Sequence, residues 1–379
     1  MILHLVHDDK VVPRMISLFE KYNPDKNVFI CVTRKKKKEL KFLHNNENII
    51  MAYSEGEKYV PWHDIDKVII HYYDFHKHIY LFRLSFIYGL KNFLSIWFMW
   101  GGDIYNYLER KGFVLYSTNN SYNYIRNVKI SSLTFKNKCR TLFNRALDYL
   151  TYILALYFFK YKVDYIAAFD EEFRIFQDFI PFSKCRGTLK FTYYSIEETL
   201  ADLYDAQSSG KAILIGNSAS ETNNHEYVYD YLKKLDLGDS DLFIPLNYGG
   251  SKEYIDKVVD KYKMIPNATC ILDFLPLNEY NELMVNCSTF LFANFRQEAW
   301  GNILIALYLG GKVYLSRRSP LKTVCENLGF KIFVIEDIER TFHIPLSVED
   351  KVRNRMIAKD NYSSKNNAHN ILLISSLSY

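Results

Sequence analysis

The constraint that bears hardest on how this chain can fold is an alternation of short β-branched runs with helical patterns, played through twice. In the first half Ile2–Val6, Asn27–Thr33, Lys67–His71, Ser95–Trp100 and Asp164–Phe169 read as strands. Helical spacing over Val12–Lys21 and the apolar stretch Ile79–Leu94 fall between them. The grammar restarts with Lys211–Gly216, Asp241–Leu246, Ala268–Leu272, Thr289–Ala293, Lys312–Leu315 and Phe330–Glu336 as strands. Between these lie helical patterns at His225–Leu235, Ser251–Tyr262, Leu277–Asn286 and Trp300–Leu309. Strands joined through helices require crossover connections, and hence parallel sheets covered on both faces. The predicted class is therefore α/β, with two Rossmann-like domains facing each other across a central cleft. The expected divisions are 1–200, 201–346 and a helical tail, 347–379, packing back toward the first domain. The polar stretch Glu197–Gly210 is the expected linker.

Composition adds one asymmetry. The 379 residues carry a formal net charge of only +5, but between Arg110 and Lys162 ten Lys or Arg face the single acid Asp148. The charge thus sits in one segment, within a chain holding 31 Tyr, 27 Phe and 4 Trp. The six cysteines are scattered, without CxxC or zinc-type spacing, so neither a disulfide framework nor a structural metal is expected. The start, MILHLVHDDK, meets two acids too early for a signal peptide. Ile79–Trp100, the most apolar stretch, contains Arg83 and Lys91. Each would cost about 3 kcal/mol at a bilayer centre, which favours a buried or interfacial helix over a spanning one.

Ligands of open parallel sheets bind beyond the carboxyl ends of the strands, where loops enter helices. Four such loops stand out. Gly216-Asn217-Ser218 offers close backbone approach with an amide and a hydroxyl, without the spacing of a dinucleotide fingerprint or a P-loop. Asn247-Tyr248-Gly249-Gly250 precedes a helix, where glycines either bare amides to an anion or make a plain turn. Arg296-Gln297-Glu298, followed by Gly301-Asn302 opening the next helix, combines a cation for a diphosphate with a carboxylate for sugar hydroxyls. A surface ion pair would read the same way. In the first half Trp100-Gly101-Gly102-Asp103 places a carboxylate either as base or hydroxyl anchor, or as a helix cap. His225 is expected at the start of its helix, facing the loop of Asn217. No nucleophile–base–acid grouping, zinc signature or DxD-type metal loop is present, and no cofactor is expected.

Four blocks carry a resemblance: Trp97–Tyr105, Ile213–Leu232, Ile244–Val258 and Leu275–Leu315. Together they resemble the bacterial 4-acetamido-4,6-dideoxygalactose transferases (TDP-Fuc4NAc:lipid II transferases) of enterobacterial common antigen synthesis. That family is similar in fold to the GT-B glycosyltransferases. The resemblance places Gly216, Asn217 and Ser218 on a G-N-S loop near the donor diphosphate or sugar, and Asn224 and His225 on an N-x-H-like element. Tyr248 falls on a P-x-x-Y tyrosine with Gly249 beside it, Arg296, Gln297 and Gly301 on an R-Q-x-x-x-G loop, and Asp103 on a W-G-x-D aspartate. The chain departs from the family at Glu298-Ala299, where Gln-Gly is usual, and at Asn247-Tyr248-Gly249, where Gly-Tyr-Pro is usual. Glu298 lies near where many retaining GT-B enzymes keep a donor-binding glutamate.

The resemblance implies transfer of a hexose, N-acetylated and deoxy, from a nucleotide-diphosphate sugar to a polyprenyl-diphosphate-linked saccharide. Retention and metal independence are implied with it. Asp103, Arg296 and Glu298 are the catalytic candidates; a TDP-sugar is the favoured donor, with UDP the alternative. The basic aromatic segment suits an anionic membrane surface, which makes the expected location cytoplasmic and peripheral to the inner face of the cell membrane. The rival readings are a GT-B transferase of another sugar in capsule or O-antigen assembly, and a non-catalytic or nucleic-acid-binding protein. Basic charge with Tyr and Phe would also serve base stacking, but no nucleic-acid motif accompanies it.

Overall fold

The computed structural model describes residues 1–117 and 135–378, with side chains left undescribed over 135–147. Of the basic segment, Arg126 and Lys129 therefore lie outside the described residues, and the side chains of Lys136, Lys138, Arg140 and Arg145 are undescribed. The chain forms two compact units. The first comprises Met1–Lys111, Cys139–Ser195 and the residues from Ser364; the second is built mainly from Ile196–Ser363.

The first unit's sheet has strands β1 (Ile2–Val6), β2 (Asn27–Cys31), β3 (Ile49–Met51), β4 (Lys67–His71), β5 (Leu94–Phe98), β6 (Tyr165–Ala167) and β7 (Gly187–Leu189). They run parallel in the order β3-β2-β1-β4-β5-β6-β7. All residues of β1, β4 and β5 are buried, as expected of strands covered on both faces. The helix Val12–Tyr22 shows how the covering works. It sets Val12, Met15, Ile16 and Phe19 on one buried stripe, with Pro13 in its first turn, where a missing N–H costs nothing.

The second unit repeats the plan with β8 (Ala212–Ile215), β9 (Leu242–Pro245), β10 (Ala268–Ile271), β11 (Cys287–Phe292), β12 (Lys312–Leu315) and β13 (Phe333–Val334), in the order β10-β9-β8-β11-β12-β13. In each sheet the order reverses once, between β1 and β4 and between β8 and β11. The loops on either side of a reversal diverge, opening a crevice at the carboxyl edge.

Every strand read from the sequence is present. Two were not read: β3 and β7 have three residues each, too few for period or composition to register against their surroundings. The stretch expected as linker is instead partly helical, with Ile196–Leu200 folded and Leu200 buried. The segment expected as one tail is two helices. Val348–Tyr362 packs on Trp300–Tyr308 in the second unit, with Tyr362 and Trp300 ring centroids 5.4 Å apart. Ser364–Ser376 packs on Val12–Tyr22 and puts Ile371 and Ile374 into the first unit's core.

One buried acid in the first unit yields a pH prediction. Glu172, in the helix Asp170–Phe179, accepts from the Phe169 N–H at 3.4 Å through Oε2, and its Oε1 has no partner. Burial pushes its carboxyl up to about 8. The unfolded chain ionises this group near its ordinary value, so the stability present below that pH is lost as pH rises toward 8. Glu172→Gln should unfold near the wild-type temperature at pH 5 and above it at pH 9. A difference in thermal midpoint that does not widen over this range contradicts the assignment.

Candidate active site

The carboxyl edge of the second sheet gathers most of the residues singled out in the sequence. Leaving β8, Gly216 has φ +69°, and a Cβ there would sit 2.8 Å from Asn223 Oδ1 and 3.0 Å from His225 Nε2. Only glycine lets this turn close. The Asn217 N–H then donates to Asn223 Oδ1 (3.1 Å), and Asn223 Nδ2 donates to Ser218 Oγ (3.1 Å). Asn224, itself at φ +51°, begins the helix His225–Leu232. Its Nδ2 donates to Ala293 O at the end of β11 (2.9 Å), to Thr222 O (3.1 Å) and to Leu115 O (3.3 Å). Its Oδ1 accepts from the Ser117 N–H at 2.9 Å. One buried amide thus joins three stretches of backbone. His225 follows, with Nδ1 3.1 Å from the Tyr254 hydroxyl; burial lowers it to about 3, so the ring is neutral.

Leaving β11, Asn294 and Glu298 fold toward the β8 loop. Glu298 Oε2 accepts from Asn294 Nδ2 (2.9 Å), from Arg296 Nε (3.1 Å) and from the Thr222 hydroxyl. Its Oε1 accepts from none of the described residues. The Arg296–Glu298 pair is largely buried, 16% and 14% exposed by side chain, unlike the solvated surface pair that its sequence also allowed. Ala299 then takes φ +63°, in a conformation that costs a non-glycine residue about 1 kcal/mol, and the helix Trp300–Tyr308 begins. Gly301 is exposed, and a Cβ on it would meet nothing within 4 Å. Among the described residues no side chain caps the start of this helix, and the Gly301 and Asn302 amides lie in its first turn, at the positive end of the helix dipole. Gln297 is half-buried beside them.

From β9, Tyr248 accepts from Asn217 Nδ2 at its hydroxyl (3.1 Å) and from the Ala219 N–H at its carbonyl (2.8 Å). Gly249 and Gly250 have φ +74° and +69°, and a Cβ on Gly250 would lie 2.1 Å from Ala219 O. These glycines let one loop backbone lie against the next. The helix that follows, Lys252–Tyr262, has its N-terminus occupied: Ser251 Oγ accepts from the Tyr254 N–H (3.3 Å), and Glu221 accepts from the Ser251 N–H (3.1 Å).

The sequence reading missed Thr222 and Asn294, whose roles appear only once the two loops meet. It also missed Arg318, beyond β12, whose guanidinium lies over the Phe295 ring 4.5 Å from its centroid and has no acidic partner among the described residues. Asp103 lies in the first unit. Its carboxylate accepts from the Tyr73 N–H (2.9 Å), Trp97 Nε1 (2.8 Å) and the Trp100 N–H (3.0 Å); burial raises it to about 6. Those donors tie the ends of β4 and β5 together.

A concentration of unmet polar atoms marks the second unit's edge. His225 Nε2, Asn217 Oδ1, Asn247 Oδ1 and Asn294 Oδ1 are buried without partners among the described residues. Such atoms are rare in finished interiors and expected where a polar ligand belongs.

Solved structures share this architecture over nearly the whole chain. Anabaena Alr3699/HepE, in complex with UDP and glucose, aligns at 12% identity and a TM-score of 0.60, covering 99% of this chain and 99% of that one. A glycosyltransferase from Rickettsia africae ESF-5 aligns at 14% identity and a TM-score of 0.60, covering 98% and 97%. WaaG, a glycosyltransferase involved in lipopolysaccharide biosynthesis, aligns at 10% identity and a TM-score of 0.55, covering 99% and 98%. The fold is GT-B, that of nucleotide-sugar glycosyltransferases. Residues 182–351 match the model of the family described as 4-alpha-L-fucosyltransferase, glycosyl transferase group 56. The chain is accordingly a glycosyltransferase, and the match spans all three loops at the carboxyl edge of the second sheet. None of the curated proteins matches it in sequence.

The close loop contact generates a direct test. Gly250→Ala forces both a left-handed alanine and a displaced Ala219 carbonyl. It should cost about 2–4 kcal/mol in urea unfolding; a loss below 0.5 kcal/mol, an order-of-magnitude floor for surface changes, would contradict the packing described.

Proposed function

We propose that the protein transfers a hexose from a nucleotide-diphosphate sugar to a polyprenyl-diphosphate-linked saccharide during surface polysaccharide synthesis. The sugar is N-acetylated and deoxy, the donor a TDP-sugar with UDP as the alternative, and the outcome retention. The observation that carries this reading is the largely buried Arg296–Glu298 pair, fixed by Thr222 and Asn294 beside a helix start that no described side chain caps.

The chemistry follows from what each group has left to give. Breaking the glycosidic bond leaves negative charge on the departing diphosphate. To Arg296, the first-turn amides at Gly301 and Asn302, and Arg318 we assign its stabilisation, which is the basis for proposing metal independence. Glu298 orients Arg296 through Oε2 and keeps Oε1 for sugar hydroxyls. Asn217, Ser218 and Tyr248 frame the other side, while Asn224 and His225 hold the loop in place. With Oε2 of Glu298 engaged by three donors, a front-face course is favoured. The acceptor hydroxyl attacks on the side from which the diphosphate leaves, and the diphosphate takes its proton. Asp103 we assign to holding the first unit's loops, because its oxygens already serve three donors.

Arg296→Ala should fold with a near-normal thermal midpoint and lose roughly 100-fold or more in kcat/KM, the scale of removing a charge-stabilising donor. Near-wild-type turnover in the folded variant overturns the assignment.

We further propose an anionic membrane surface as partner. Among the described residues no helix is long and apolar enough to cross a membrane. The helix Phe75–Ile87 nevertheless turns Ile79, Phe82 and Phe86 outward, the two phenylalanines 72% and 85% exposed. Beside it, as the 5.1 Å His78–Phe158 ring contact shows, the helix Phe135–Tyr161 exposes Tyr149, Ile153, Tyr157 and Tyr161. Lys160 and Lys162 lie over Tyr161 and Tyr157. Apolar rings with cations above them suit the headgroup zone of an anionic leaflet. Phe82→Ser/Phe86→Ser should cut flotation with phosphatidylglycerol-containing vesicles at least fivefold, an order-of-magnitude expectation for two buried rings. Unchanged flotation would contradict this surface.

A further inference from the structure

The first sheet has its own reversal, between β1 and β4, and three rings converge on its carboxyl edge. The ring centroids of His7 and Trp100 are 4.9 Å apart, those of His7 and Tyr72 5.3 Å, and those of Tyr72 and Trp100 5.8 Å. All three residues are half-buried, and Trp100 also packs against the first unit's core.

Two separate buried networks fix this triad. The first holds Trp100. Its Nε1 donates to the Tyr193 hydroxyl, which reaches His71 Nδ1 at 3.4 Å. His71 Nε2 lies 3.1 Å from His4 Nδ1, and His4 Nε2 lies 3.2 Å from Asn27 Oδ1. The Asn27 Nδ2 group donates elsewhere, to Asn23 O and Glu20 Oε1, so its oxygen accepts from His4. That end sets the whole direction: indole to tyrosine, tyrosine to His71, His71 to His4, His4 to Asn27. Each imidazole has one tautomer, and burial keeps both neutral, lowering each below its ordinary range.

The second network holds the other two rings. Lys77, fully buried, spends its three N–H donors on Asp74 Oδ2 (2.7 Å), Tyr72 O (2.8 Å) and His7 Nδ1 (3.2 Å). Tyr72 itself sits at φ +58°, a conformation that disfavours any side chain but is held by its N–H bond to Phe98 O (3.1 Å). Burying an ammonium and straining a tyrosine are both costly, and packing alone explains neither. Both are spent on the orientation of rings at a sheet edge where ligands bind.

We propose that His7, Tyr72 and Trp100 form a preorganised platform for a pyranose ring of the acceptor saccharide. This rests on the glycosyltransfer reading, under which the second unit's loops take the donor and leave a saccharide to be held elsewhere. Indole and phenol faces match the apolar C–H face of a pyranose, and the orientation is settled before the sugar arrives. Lys77 has no charge to spare for a phosphate, since Asp74 neutralises it. A sugar face, rather than a diphosphate, is therefore the chemistry this edge recognises.

The test is saturation-transfer NMR on the full-length protein with methyl glycosides of glucose, galactose and N-acetylglucosamine, alone and with saturating UDP or TDP. At least one glycoside should be saturated through its ring C–H protons, and nucleotide should not displace it. Binding should weaken at least tenfold in Trp100→Ala and recover in Trp100→Phe. Tyr72→Gly, which removes a ring where the backbone already suits glycine, should also weaken it and guards against a misfolded tryptophan variant. The proposal is overturned if no glycoside is saturated, if nucleotide displaces it, or if these variants bind as the wild type does. Nucleotide binding in the same samples separates the two readings. If nucleotide binds while the glycoside results fail, only the platform is lost; if nucleotide also fails to bind, the glycosyltransfer reading falls with it.

Discussion

The carboxyl edge of the second sheet depends on Asn224. A single buried carboxamide spans Ala293 at the end of β11, Thr222 in the β8 loop and the backbone at Leu115 and Ser117. It does so from a left-handed backbone that also starts a helix. It gives the two loops flanking the reversal of the second sheet a common reference, beside the direct bond from Asn294 Nδ2 to Thr222 O (3.3 Å). With it, Thr222 reaches Glu298, Glu298 orients Arg296, and the helix start at Trp300 is presented at a set distance. The site is thus a consequence of one side chain meeting four backbone groups, and the charged residues inherit their geometry from it.

The two units solve a similar problem with different chemistry. Both follow one strand order, the first sheet adding a seventh strand, β7, at its edge, and both carry their special residues at the carboxyl edge on either side of the reversal. The second unit builds its edge from amides, hydroxyls and glycines around the Arg296–Glu298 pair, and leaves several polar atoms unmet among the described residues. That suits a ligand rich in oxygens. The first unit buries an ammonium, two paired imidazoles and the Asp103 carboxylate beneath its edge, and uses them to set aromatic rings. Because folding must desolvate these groups, the first unit's stability responds to acid. Imidazoles held below their ordinary range contribute stability that is lost as pH falls through 6 toward 4, whereas Asp103 and Glu172 lose theirs as pH rises.

Much of the fold was legible because parallel strands buried on both faces leave unbroken apolar runs. Ile2–Val6 and Lys312–Leu315 announce themselves in that way. β3 and β7 do not, since a three-residue edge strand carries too little pattern. At the site, Gly216, Asn217, Arg296 and Glu298 were visible as polar or small residues immediately after strands. Gly249 and Gly250 were visible but ambiguous: a glycine that bares an amide to an anion and one that lets two backbones touch look alike in sequence. The contact with Ala219 distinguishes them. Thr222 and Asn294 were illegible because their meaning lies in a meeting of loops about 70 residues apart, and Arg318 because its partner, the Phe295 ring, lies beyond a different strand; nothing local encodes either. Asp103 was visible as a carboxylate at a strand end, but its three donors come from Tyr73, Trp97 and Trp100, so its burial could not be read locally.

A structure determined with TDP or UDP bound would settle where the donor sits. The account requires the diphosphate within hydrogen-bonding distance of the Arg296 guanidinium and of the backbone amides at Gly301 and Asn302, with Glu298 Oε1 facing the position of the sugar. A nucleotide seated at the carboxyl edge of the first sheet, or one bound to the second unit with Arg296 still turned only to its own protein partners, would contradict it.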